Sequence, residues 1–101
     1  MSMRDIQKMQ QMQQRILKMQ EELEASQFVG TAGGGAVKIN MSGKFEVTAV
    51  EIDPEAFNAE DIGELEVMVL AAAKDAFNKA TEAQQRMMSS ATGGLKIPGL
   101  F

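Results

Sequence analysis

The sequence predicts an α+β domain of element order α-β-β-β-α, with one long helix at each end of a small antiparallel three-stranded sheet. Three observations predict it. Apolar residues recur at helical spacing over residues 3–25 and again from about 58 to 88. Between them, residues 27–52 alternate apolar with polar at strand spacing. The breaks in that alternation, Gly33-Gly34-Gly35 and Ser42-Gly43, are of the kind that join neighbouring strands.

The first helix, residues 3–25, rests on Met9, Met12, Ile16, Met19 and Leu23, spaced 3, 4, 3 and 4. That is the a/d stripe of a short coiled-coil face. Gln and Met, both good helix formers, fill much of the rest. Gln27 to Ala32 has strand character around Phe28 and Val29. Val37, Ile39 and Met41 alternate with Lys38, Asn40 and Ser42, as in a half-buried strand. In the third strand Phe45 and Val47 point one way, but the large apolar residues resume at Val50 and Ile52. The period slips by one near Thr48-Ala49, and a β-bulge there restores the face. Asp53-Pro54 ends the strand.

The second helix is expected from near Asn58, with Asp61 as capping partner, to about Met88. Its stripe is Leu65, Val69, Ala72, Ala73, Ala76, Ala80, Ala83 and Met87. Val67, Met68, Leu70 and Phe77 lie off that stripe, which predicts burial on two sides. Gly93-Gly94 stops the helix. Residues 1–92 therefore form one domain, and 93–101 form an apolar tail carrying Gly and Pro.

Helices of roughly 22 and 30 residues are about 33 and 45 Å long, whereas six-residue strands span about 20 Å. The sheet cannot cover both helices, and their overhanging apolar stripes need a partner. A second copy is the simplest source. The expected state is a homodimer, with Met12, Ile16, Met19, Leu65, Val69, Ala72 and Ala76 at its interface.

The composition excludes much. The 101 residues include no His, Cys, Trp or Tyr. Thiol nucleophiles, disulfides, imidazole bases and nearly all soft-metal sites are absent with them. Gly33-Gly34-Gly35 lacks the Gly-Lys-Ser/Thr ending of a phosphate loop and precedes a strand. The carboxylates of residues 46–66 form no calcium-loop pattern and read as a solvated face. No catalytic residue, metal, cofactor or small-molecule substrate is expected, and no enzymatic activity. The first ten residues hold no apolar signal region. The longest apolar run, Val67 to Ala73, is too short for a membrane span of about 20 residues. A soluble cytoplasmic protein is expected.

The net charge of −4 is unevenly spread. Residues 1–18 carry Arg4, Lys8, Arg15 and Lys18 against Asp5. Residues 46–66 carry Glu46, Glu51, Asp53, Glu55, Glu60, Asp61, Glu64 and Glu66 and no base. At 100° per residue the four N-terminal bases fall within an arc of about 80°, beside the apolar stripe. From Arg4 to Lys18 is about 21 Å, long enough to follow several phosphates of a duplex. The same stripe also suits a plain solvated face, helped by a Lys18–Glu22 pair one turn apart. Lys79 and Arg86 share a face of the second helix and can extend a basic surface.

The chain resembles the YbaB/EbfC family of bacterial nucleoid-associated proteins. The likeness is carried by Met9-Gln10-Gln11-Met12, by Ala32-Gly33-Gly34-Gly35-Ala36-Val37, by Val50-Glu51-Ile52-Asp53-Pro54, and by the tail from Thr92 to Phe101. It implies a cytoplasmic homodimer whose helices project from a central sheet like tweezers. It implies binding to double-stranded DNA, altered DNA conformation, and a part in nucleoid organisation or gene regulation. It transfers no individual contact residue, so Arg4, Lys8, Arg15 and Lys18, with Lys79 and Arg86 behind them, are the phosphate contacts expected from the charge pattern. The alternative is a helix-pair module that holds a protein partner, as an adaptor or chaperone does, without touching DNA.

Overall fold

Ser2 caps the first helix, α1 (Met3–Ala25), in a computed structural model that describes residues 2–91. The Ser2 hydroxyl accepts from the Asp5 N–H, and the Asp5 carboxylate accepts from the Ser2 N–H, both at 3.3 Å. Two of the helix's orphan donors are thereby satisfied. At the other end the Ser26 hydroxyl donates to the Glu22 carbonyl at 2.8 Å.

Three strands follow: β1 (Gln27–Ala32), β2 (Val37–Ser42) and β3 (Val47–Ile52). They form an antiparallel sheet of order β1-β2-β3, and α2 (Ile62–Ala91) closes the order α-β-β-β-α. The expected bulge is present. Asn40 pairs with Ala49 and Met41 with Val47, which leaves Thr48 as the extra residue. Val47, Val50 and Ile52 consequently stand opposite Met41, Ile39 and Val37, and directly opposed residues share a face.

That face is where α2 packs. Val37, Ile39 and Met41 meet Ala72, Ala76 and Ala80 in the buried core. The helix lies over β1 and β2. Its close approach depends on Gly30, where a Cβ would run into the Ala72 carbonyl oxygen and the Ala76 amide. The alanine stripe and the strand glycine are complementary, since neither side holds its partner away.

Two expectations need correction. The second helix starts at Ile62, not near Asn58. Asn58 instead holds a turn, accepting from the Glu60 N–H at 3.1 Å, and Asp61 is itself the cap, accepting from the Glu64 N–H at 3.2 Å. Phe45 belongs to the β2–β3 turn and not to the third strand. It takes a left-handed φ of 63°, and its ring packs against Phe77 with centroids 5.3 Å apart. The second apolar flank of α2 is exposed in the single chain at Val67 and Leu70, the side that a second copy would have to cover. The predicted tail, residues 93–101, lies outside the described residues.

The molecule measures 69 × 24 × 17 Å, with a radius of gyration of 19.0 Å. A compact chain of this length would have about 13 Å. The excess comes from α1 and the outer part of α2, which run together past the β2–β3 hairpin as an arm. Gly43 seats the base of that arm, because a Cβ there would overlap the Leu23 carbonyl of α1.

Candidate nucleic-acid interface

Helix α1 has no buried residue. Ile16, Met19 and Leu23 are half-buried, while Met9 and Met12 are exposed. Its inner half is therefore held against the body and its outer half projects. Arg4, Lys8, Arg15 and Lys18 lie along the first two thirds of this helix, all exposed. Among the described residues none of the four is in an ion pair, and the Lys18–Glu22 pair does not form. Their charges are available to an external anion.

The two bases of α2 are placed differently. The Lys79 ammonium sits 3.2 Å from the Asp75 carboxylate and donates to the Val29 carbonyl at 2.8 Å. Asp75 in turn accepts from the Thr31 N–H at 3.0 Å. This carboxyl is held below the usual range, first by the Thr31 N–H and then by Lys79. Together Asp75 and Lys79 satisfy backbone groups on the open edge of β1, where an unpaired strand would otherwise invite another chain. Arg86 stays largely exposed, with a loose contact to Glu82 at 4.0 Å.

Acids gather at the opposite end of the molecule. Asp53, Glu55, Glu60, Asp61, Glu64 and Glu66 are all exposed, in the connection after β3 and the first turns of α2. The hairpin from which the arm projects is at the other end of the sheet. The long axis thus separates a basic arm from an acidic body, a separation that orients a polyanion toward the arm.

Of the residues expected at a dimer interface, Ala72 and Ala76 are fully buried in this chain's own core, and that expectation is corrected. Small side chains on the stripe serve the approach of β1, leaving no surface for a second copy. Leu65 and Val69 pack on the same core. The exposed apolar surface lies elsewhere. Val47, Val50 and Ile52 extend the core face beyond the reach of α2, and each is exposed, from 43% at Ile52 to 55% at Val47. Leu70 and Phe77 line the adjacent flank of the helix, at 56% and 50%. Patterning alone missed this shelf, although the two-sided apolar character of residues 67–73 pointed to it. It also missed the Asp75–Lys79 latch, whose i,i+4 spacing was the available signal.

The arrangement defines a class: a small α+β protein with a basic helical arm and an acidic body. The model of the YbaB/EbfC DNA-binding family matches residues 1–95, and the chain belongs to that family. A nucleoid-associated protein of Pelotomaculum thermopropionicum is 48% identical over 92 residues, covering 91% of this chain and 88% of the relative. One from Dictyoglomus turgidum is 47% identical over 91 residues, covering 89% and 88%. The crystal structure of the uncharacterized protein HP0035 from Helicobacter pylori superposes with a TM-score of 0.75 at 18% identity, over 92% of this chain and 99% of that one, which shows the fold. Family and relatives support a DNA-binding, nucleoid-associated function. Among the described residues no helix is long and apolar enough to cross a membrane.

Proposed function

We propose that the protein acts as a homodimer that binds double-stranded DNA through phosphate contacts along its arms, in the cytoplasm at the nucleoid, and alters the path of the DNA it holds. It is a binding protein and not an enzyme. The observation that carries the reading is the exposed row of Arg4, Lys8, Arg15 and Lys18 on the projecting helix, free of ion pairs among the described residues. A dimer presents eight such charges on two arms.

The shelf of Val47, Val50, Ile52, Leu70 and Phe77 supports the second copy. Covering a half-exposed side chain of this size contributes about 1 kcal/mol. The shelf replaces Ala72 and Ala76 as the proposed interface, with Met12, Ile16 and Met19 adding contacts between arms. Arg86 extends the basic surface. Lys79 is assigned to the fold and not to the DNA, because its ammonium is engaged by Asp75 and Val29.

Phosphate contacts release counterions, so affinity falls with salt at a log–log slope of about −0.9 per contact. Changing Arg15 and Lys18 to Gln removes four charges per dimer and is expected to flatten the slope by up to about 3.6, similarly on all sequences. An unaltered slope in this variant would falsify the arm as the binding surface.

A further inference from the structure

We infer, on the basis of the phosphate-binding arm proposed above, that Gln11 reads a base edge in the major groove of the duplex and selects adenine there. Arg4, Lys8, Gln11, Arg15 and Lys18 succeed one another at intervals of 4, 3, 4 and 3 residues. From Lys8 onward each stands one position before a residue of the apolar stripe, so the five form one straight row along α1. Gln11 is its uncharged middle member. Six glutamines lie in the first twenty residues, and at 100° per residue Gln11 alone falls within the arc of the four bases. Gln7 and Gln14 lie outside that arc by about 20° and 40°. Glu22, next in the row, is an acid and closes it at the body end.

The spacing of the row fits a groove. Lys8 and Arg15 are about 10.5 Å apart along the helix axis, close to the major-groove width of about 12 Å. With these two bases at the phosphate walls, Gln11 stands between them over the base edges, about 4.5 Å from the level of one and about 6 Å from the other. Arg4 and Lys18 extend the contacts to the backbones on either side. Gln11 is exposed, and among the described residues its amide has no hydrogen-bond partner. A carboxamide presents an acceptor and a donor together. They match the N6 donor and N7 acceptor of adenine, whereas guanine offers two acceptors, N7 and O6, at the same edge. Phosphate contacts position the arm without reading sequence, so within the row this amide is the group equipped to read it.

Alternating A·T and inosine·C duplexes of equal length test the readout. Inosine lacks the 2-amino group of guanine, so its pair with C resembles A·T in the minor groove and G·C in the major groove. By fluorescence anisotropy at one salt concentration, the full chain is expected to bind the A·T duplex about fivefold or more tighter than the inosine·C duplex. Gln11→Ala, which keeps helix propensity, is expected to bring the two affinities together and leave the salt slope unchanged. Equal affinities of the unaltered protein for the two duplexes overturn the inference, and so does a preference that survives in Gln11→Ala. Neither result touches the arm itself, which is tested separately by the salt slope of the Arg15 and Lys18 variant. An unaltered slope in that variant removes the arm and the seat of Gln11 with it.

Discussion

Lys79 in the middle of α2 donates to the carbonyl of Val29 on β1 across 2.8 Å, although the two residues are fifty positions apart in sequence. The bond turns a surface cation into part of the sheet edge. Lys79→Gln should leave the salt dependence of DNA binding unchanged, in contrast to the Arg15 and Lys18 substitutions. It should cost at most about 1 kcal/mol in denaturant unfolding, as an exposed pair does. A slope that flattens by about 1.8, two contacts per dimer, would return Lys79 to the DNA surface.

Asp75 predicts a pH dependence. Its folded pKa is below the unfolded value, so its stabilisation is present above the ordinary Asp range near 3.9 and is lost as pH falls through the folded value. Asp75→Asn should lower the Tm at pH 7. The gap between the two proteins should close as pH drops below about 4. Thermal melts by circular dichroism at pH 7 and in steps to pH 3 measure it, and a gap that stays constant contradicts the ionic role.

Gly30→Ala tests the helix–strand contact. The added methyl meets the backbone of α2 at Ala72 and Ala76, which cannot yield as a side chain can. A loss of about 3 kcal/mol or more is expected, at the upper end of overpacking costs. Urea unfolding should show a lower midpoint with an unchanged slope.

Val50→Lys and Ala76→Glu separate the shelf from the core. Val50 is exposed in one chain, so a lysine there should reduce the sedimentation mass from twice 11.0 kDa to 11.0 kDa and keep the circular dichroism spectrum. Ala76 is fully buried, so a glutamate there should unfold the chain, leaving a charge without a partner. A dimeric Val50→Lys variant would exclude the shelf.

The element order, the limits of α1 and the bulge at Thr48 were legible in the sequence, because each is written in local periodicity. The start of α2 was not. Asn58 and Asp61 are both good caps, and only the turn that Asn58 forms decides between them. The spacing of Phe45 from Val47 fits a strand. Its left-handed backbone and its contact with Phe77 depend on a helix thirty residues away. The basic row of the site could be seen in a helical projection. The alanine stripe could not be divided between core and interface in that way, since a small side chain suits either kind of close approach. Gly30 resolves it, and the meaning of a lone glycine in a strand emerges only when the element that crosses it is known.

The seat of α1 at Gly43 makes the arm a lever with its fulcrum at the β2–β3 turn. At 1.5 Å per residue the 23 residues of α1 extend about 34 Å, so a tilt of roughly 5° at the fulcrum swings the tip by about 3 Å. That travel is close to twice the axial spacing of charges on a duplex, about 1.7 Å. The position of the arm's basic tip is therefore gauged by the size of one side chain, the hydrogen atom of Gly43, far from any phosphate the arm would touch.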